Sequence, residues 1–349
     1  MKNPDQVCLV LTTKCNLRCI NCRSWEFPQR DEMTPEQVAQ LLDSLRGWLG
    51  ASTVEGRERR AWELYFAGGE PFVRQDMVPL LERCRDQDIW AQITTNGTLI
   101  DEALARRILA AAPGAIGLSL DGSRAETHDH LKGRDGAFAK TWRALETLAT
   151  LKLETKARTA VQVHVLLSGY HTEEVLELLD RIEPNPGVLN LVLQALTAPF
   201  FQEVPERWWE SSPFWPRDLD AFDRVLDELL ERKRASDAAG RCAIGNSEAQ
   251  LELIRRYFHD PEHRVPGRCT VDEHSFNIDS NGDVRICHFM EPVGNVLQSA
   301  PEAIWTGERA AAVRRKIAGC RHNCSLMNCN WFDDGLEGAE ALLAGWDRQ

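Results

Sequence analysis

These 349 residues carry no excess of positive charge, no long apolar run and no internal repeat. Each absence removes a class of function. Acidic residues outnumber basic ones by 53 to 41, a net charge of −12, so the basic footprint of a nucleic-acid binder is missing and no nucleic-acid partner is expected. The opening MKNPDQVCLVL holds one lysine and an apolar run only as long as a strand, which makes neither a signal peptide nor a membrane span. A cytoplasmic protein with no membrane partner is therefore expected. In that reducing setting the eleven cysteines point to metal or catalysis rather than disulfides.

The sharpest shortage is local. The stretch TTKCNLRCINC, residues 12–22, places Cys15, Cys19 and Cys22 close together and then offers no fourth thiolate for dozens of residues. Closed zinc sites and ferredoxin-type clusters take four protein ligands, so the trio is an accident, a fragment completed from elsewhere, or a site kept open. Zinc fits poorly, because the histidine nearest to Cys22 in sequence is His128 and the spacing lacks the paired C-x2-C of structural zinc sites. An iron-sulfur cube fits better: three ligands leave one iron free to bind a chelating small molecule.

From Val7 to about Leu193, β-rich runs alternate with amphipathic stretches of helix length, the pattern of repeated βα units around a parallel sheet. Six strands are predicted, at 7–11, 63–67, 91–95, 115–120, 161–167 and 188–193. The first helix announces its start with Thr34, Pro35 and Gln37, a capping box with proline at the first helical position, ahead of Val38, Leu41, Leu42 and Leu45 on one face. Six units are too few for a closed eight-stranded barrel, so an open partial barrel or a doubly wound sheet is expected. In both, chemistry gathers at the carboxyl ends of the strands, where TTKCNLRCINC, GGEP, NGT and DGS follow the first four. After residue 196 comes a Pro- and aromatic-rich loop, a lid or a wrapped segment that buries Trp208, Trp209 and Trp215. The reading divides the chain at 1–235 and 236–349, the second part being helical and cysteine-rich, with an Asn281-Gly282 hairpin turn.

These motifs resemble the radical S-adenosylmethionine (SAM) enzymes. The C-x3-C-x2-C loop follows the first strand, FAGGEPFVRQD is similar to that family's glycine-rich segment, TTNGT to its third-strand turn, and SLDGSRAETHDHLKGRDGAF to the segment of one large branch. The resemblance implies an α/β partial (β/α)6 barrel in which Cys15, Cys19 and Cys22 hold a SAM-binding 4Fe-4S cluster. It further implies that Gly68 and Gly69 allow close backbone approach, that Glu70 accepts a hydrogen bond from the methionyl ammonium, that Ser119 and Asp121 contact the carboxylate and ribose, and that Asn96 lines the same cleft. Two positions depart from the pattern. Asn21 stands where an aromatic residue or histidine meets the adenine, with Trp25 as a substitute, and Lys132 stands where an arginine grips the SAM carboxylate, a point charge in place of a fork.

The tail spacing Cys269, Gly282, Cys287, followed by CRHNCSLMNC, resembles the auxiliary-cluster domains called SPASM or, when shortened, Twitch. Five cysteines instead of seven imply one auxiliary 4Fe-4S cluster held by Cys269, Cys287 and two of Cys320, Cys324 and Cys329, with four-thiolate zinc as the alternative. His288, beside Cys287, is the candidate base, and Asp272 and Glu273 are weaker ones. Cys8, Cys84 and Cys242 read as small buried hydrophobes or unreactive thiols.

The expected activity is reductive cleavage of SAM to a 5'-deoxyadenosyl radical and abstraction of a substrate hydrogen, with an electron donor such as flavodoxin or ferredoxin. Only 14 residues precede Cys15, leaving no fused peptide-recognition domain, which favours oxidation or rearrangement of a small molecule such as an alcohol on a sugar. Modification of a peptide or protein is the second expectation, and a non-catalytic zinc scaffold the third. A molybdenum-cofactor cyclase is disfavoured by the ending GWDRQ.

Overall fold

The computed structural model describes residues 2–22, 25, 31–53, 60–198, 205, 207–262 and 269–320. Strand and helix alternate in the order β1 (Gln6–Thr12), α1 (Pro35–Leu49), β2 (Glu63–Gly68), α2 (Met77–Asp86), β3 (Ala91–Thr95), α3 (Glu102–Ala111), β4 (Ala115–Ser119), α4 (Ala125–Lys132), α5 (Ala137–Thr155), β5 (Ala160–Leu167), α6 (Glu174–Ile182) and β6 (Asn190–Ala195). All six predicted strands are present. The predicted capping box is formed: Gln37 N donates to Thr34 Oγ1, Thr34 N donates to the Gln37 side chain, and Val38, Leu41, Leu42 and Leu45 are buried beneath.

Each of these strands pairs in parallel with the next. Successive helices pack on one another, α1 on α2, α2 on α3 and α3 on α5, as expected where right-handed crossovers join sequential parallel neighbours and leave the other face of the sheet to form the concave side of the partial barrel. The helix-covered face is fully apolar, as Val7, Leu9, Leu64, Phe66, Val161 and Val163 show. The concave face alternates with it and is half-buried: Cys8 and Val10 on β1, Glu63 and Tyr65 on β2, Gln162 and His164 on β5. The sheet order β6-β5-β4-β3-β2-β1-β7-β8-β9 does not close, so the architecture is the partial barrel.

The remaining elements are α7 (Trp208–Ser211), α8 (Leu219–Ala238), α9 (Glu248–His259), α10 (Val271–His274), β7 (Ser275–Ile278), β8 (Asp283–Arg285), β9 (Gly294–Asn295), α11 (Pro301–Thr306) and α12 (Glu308–Ala318). The tryptophan-rich segment packs down rather than standing off: Trp215 is 6% exposed, its ring 4.7 Å from that of Phe258 and 5.7 Å from that of Trp208. Asn246 extends the β6 edge, its side chain accepting from Leu193 N at 2.7 Å and donating to Leu193 O at 2.9 Å. Among the described residues, no helix is long and apolar enough to cross a membrane.

The cysteine-rich tail is stitched to the barrel through its first strand, because β7 pairs in parallel with β1. β7 turns into β8 at the predicted hairpin, where Gly282 takes φ +87°. Trp305, 1% exposed, donates from its indole to Lys2 O at 3.1 Å. His274, 3% exposed, pairs with Asp5 at 2.8 Å. Burial raises the Asp5 carboxyl, and His274 more than offsets this, holding it below the usual value.

Asp5→Asn should therefore lower the unfolding free energy by about 1–3 kcal/mol near neutral pH. A depressed carboxylate contributes only where it is ionised, so the gap from wild type should close as pH falls below about 4. Denaturant titrations at several pH values check this; no gap at pH 7 would remove Asp5 from the docking contact.

Candidate active site

The cysteine loop leaves β1 at Thr12 and is met by the turn after β2. Gly69 N donates to Thr12 O at 2.8 Å and Glu70 N to Lys14 O at 2.9 Å. Gly68 takes φ +129°, and a Cβ at Gly68 or Gly69 would collide with the carbonyls of Thr12 and Lys14 respectively. The backbone these glycines admit is thus that of the cysteine loop itself.

Glu70 is 0% exposed. Its carboxylate accepts from Thr95 Oγ1 at 2.7 Å, Asn96 N at 2.8 Å and Phe72 N at 3.2 Å, tying the ends of β2 and β3 together. Burial raises its pKa against these donors. Asn96 then reaches the cysteine loop: its Nδ2 donates to Asn16 Oδ1 at 2.9 Å and lies 3.9 Å from Cys15 Sγ. On the other side the loop rests on the end of α4, Arg18 N donating to Lys132 O at 3.1 Å and Ile20 N to Leu131 O at 3.0 Å.

Between these clamps Cys15 and Cys19 are half-buried and Cys22 is exposed. Burial pushes the Cys15 thiol up and the Cys19 thiol up to about 11, and Cys22 raises both further. A thiolate here needs a cation, and the Lys132 ammonium already draws Cys19 downward. Iron would supply the remaining charge, so the donor set fits an iron-sulfur cluster.

Lys132 and Asp121, expected to meet a cofactor separately, meet each other. Lys132 Nζ lies 2.7 Å from Asp121 Oδ2, with side chains 6% and 9% exposed. Burial alone would raise Asp121; Lys132 chiefly, with Leu166 N donating to Oδ1 at 2.9 Å, holds it at about 2 instead. Asp121 N donates to His128 Nδ1 at 3.2 Å, and burial holds that imidazole at about 3. Ser119 sits on the concave face, in register with His164 of β5. The His164 ring lies over Gly117, where a Cβ would enter it, and burial holds it at about 4, so it is neutral near pH 7. His164 was missed from sequence, although the alternation in VQVHVLL sets it on the same face as Gln162. Trp25, the proposed adenine partner, has its ring 5.3 Å from the Arg18 guanidinium.

In the tail, Cys269 and Cys287 are half-buried and Cys320 is exposed. Burial pushes Cys287 up to about 11, and Cys269 and Cys320 are near enough to add to it. Cys324 and Cys329 lie outside the described residues. His288 follows in the turn after β8, held at about 4 by burial. Among the described residues no three His, Cys, Asp or Glu side chains converge on one ion position, so neither described trio is gathered tightly around a single zinc ion.

A family model described as the radical SAM superfamily matches residues 9–182, and one described as an iron-sulfur cluster-binding domain matches residues 269–330. The AdoMet-dependent heme synthase of Methanosarcina barkeri is 28% identical over 235 residues, 67% of this chain and 60% of that protein. The mycofactocin maturase of Mycobacterium ulcerans is 33% identical over 147 residues, 41% of this chain and 36% of that one. The chain thus spans less than two thirds of the length of both relatives. The crystal structure of Streptococcus suis SuiB bound to S-adenosylmethionine superposes with a TM-score of 0.64 at 16% identity, covering 90% of this chain and 68% of that one, a likeness of fold.

Lys132→Met should cost about 3–5 kcal/mol by stranding the buried Asp121 carboxylate, while Asp121→Leu/Lys132→Met should recover most of that loss. Because Asp121 is depressed, its contribution is present above about pH 4 and falls by about 2 kcal/mol on the way to pH 2, a decline the double variant should lack. Unfolding titrations of the metal-free protein decide it; additive single and double losses would show the pair to be uncoupled.

Proposed function

Because the chain belongs to the radical SAM superfamily and carries an iron-sulfur cluster-binding domain behind the barrel, and so works with 4Fe-4S clusters and SAM, we propose that it abstracts hydrogen from an uncharged substrate held on the barrel's concave face, oxidising or rearranging it. The observation that carries this reading is the three-thiol loop clamped by Gly69 and Glu70 on one side and by α4 on the other. Cys15, Cys19 and Cys22 would hold the SAM-binding cluster. When bound, cluster and SAM supply a 5'-deoxyadenosyl radical that takes a hydrogen atom from the substrate.

The residues around the loop divide the remaining work. Gly68, Gly69 and Glu70 set the loop's height above the barrel, and the Glu70 carboxylate, which already accepts three protein bonds, would accept a further one from a methionyl ammonium. Asn96 steadies Cys15, and Ser119 offers a hydroxyl from the concave face. Lys132, neutralised by Asp121, acts on the cysteines as a buried charge more than as a grip on SAM. Cys269, Cys287 and two of Cys320, Cys324 and Cys329 would hold one auxiliary cluster, and His288 is the proposed acceptor of a substrate proton, against the burial that holds it at about 4 and opposes its taking one up.

The lining supports the substrate class. Among the described residues, the strand positions that face the concavity from β1 to β6 include Glu63, Tyr65, Gln92, Gln162 and His164 and hold no lysine or arginine. The one carboxylate is occupied, Glu63 accepting from Tyr65 Oη and Gln92 Nε2 at 2.6 Å each. Such a surface suits alcohols and amides, whereas a carboxylate-bearing tetrapyrrole would find no cation on these strands. A small alcohol is therefore the first reading. Peptide modification is the second, drawing on the likeness to a maturase and on the fit of the same lining to backbone amides.

After anaerobic reconstitution, wild type should bind about eight irons and a Cys15/Cys19/Cys22 triple alanine about four. With dithionite, only wild type should release 5'-deoxyadenosine from SAM. Zinc in place of iron, with no deoxyadenosine, would leave the scaffold reading standing instead.

A further inference from the structure

We propose that Arg74 is a positioning residue for the cysteine loop: its guanidinium clasps the two ends of the loop and so sets how a cluster on these thiols faces SAM. The idea rests on the proposed function, which places that cluster on Cys15, Cys19 and Cys22. Arg74 stands in the turn after β2, four residues past Glu70, with its side chain 10% exposed. Its Nη1 donates to Leu11 O at 3.1 Å and to Met33 O at 3.0 Å. Leu11 lies where the chain leaves β1 and Met33 just before it enters α1, so one nitrogen joins the start and the end of the segment that carries the three cysteines.

The returning end then braces the departing one. Glu32, next to Met33, accepts from Thr12 Oγ1 at 2.6 Å and Thr13 N at 3.2 Å through Oε1, and from Lys14 Nζ at 3.3 Å through Oε2. Met33 N donates to Ser280 O at 2.8 Å in the β7–β8 turn, which gives the brace a fixed point. Cys15 follows Lys14 directly, so the approach to it is held by Gly69 and Glu70 on one side and by Glu32 on the other. Both holds trace to one stretch, because Arg74 belongs to the same FAGGEPFVRQD run as the glycines.

A neighbouring helix gives up a bond for this arrangement. Asp76 occupies the N-cap of α2, where an aspartate ordinarily accepts from the first turn, yet it makes no side-chain cap bond there. Its carboxylate takes the rest of the guanidinium instead, Oδ1 from Nε at 2.9 Å and Oδ2 from Nη2 at 2.7 Å. That bidentate fork fixes the guanidinium plane and aims Nη1 at the two carbonyls. A lysine ammonium is a single point charge without such a plane, so it cannot serve carboxylate and both carbonyls from fixed positions.

The test compares wild type with Arg74→Lys and Asp76→Asn, and uses Arg83→Lys as control, since Arg83 of α2 makes a comparable fork with Asp43 of α1. In the metal-free proteins, amide hydrogen exchange at residues 12–14 should quicken several-fold in the first two variants and stay at the wild-type rate in the control, with native circular dichroism throughout. After reconstitution, the SAM concentration that half-saturates the spectral change of the dithionite-reduced cluster should rise roughly five- to tenfold in the same two variants, with iron content near wild type. Unchanged exchange at residues 12–14 would overturn the clasp. Quickened exchange with unchanged SAM affinity would leave Arg74 a structural role and overturn the positioning one, as would loss of native dichroism in both variants. Wild type whose reduced cluster shows no response to SAM would reject the proposed function itself, a failure separate from that of the clasp, which the metal-free exchange decides.

Discussion

Two backbone hydrogen bonds, from Gly69 N to Thr12 O and from Glu70 N to Lys14 O, fix where the three cysteines sit. They require a backbone approach that no Cβ permits at Gly68 or Gly69, and they make the loop after β2 the floor of the loop after β1. Glu70 extends the constraint, because its carboxylate takes Thr95 and Asn96 from the end of β3, and Asn96 in turn takes Asn16. A short run of side chains thus makes three strand ends behave as one body. Geometry of this kind costs nothing at the moment of reaction, since the barrel has already paid the ordering entropy in folding.

Electrostatics follow from that placement. Half-buried thiols resist ionisation, and the nearby ammonium of Lys132 is already matched by Asp121. The pocket is therefore short of positive charge once its cysteines ionise, a deficit an iron cluster fills. The buried pair also lets a lysine stand where the family pattern has an arginine. A single ammonium on a single carboxylate oxygen needs no fork.

Much of the barrel was legible because its signals are local. The strand runs, the Thr34–Gln37 box and the Asn281-Gly282 turn each depend on residues within a few positions of one another. The pairing of β7 with β1 was not legible, since it joins segments far apart in sequence and nothing in either names the other. The same holds at the site. The motifs located Gly68, Gly69, Glu70 and Asn96 on one cleft, but that the glycines admit the cysteine loop, and that Glu70 serves Thr95 and Asn96, are facts of tertiary approach. The Lys132–Asp121 pair spans a strand end and a helix, which no spacing rule covers. His164 could have been found, since its alternation with apolar neighbours set it on the open face and only the depth of burial was hidden.

The most direct measurement is iron content and far-ultraviolet circular dichroism of reconstituted Gly69→Ala. If the two backbone bonds position the cysteine loop, this one methyl group should displace Lys14 and cut bound iron by about half while the dichroism stays native. Full iron loading in a natively folded Gly69→Ala protein would contradict the claim that this contact sets the site.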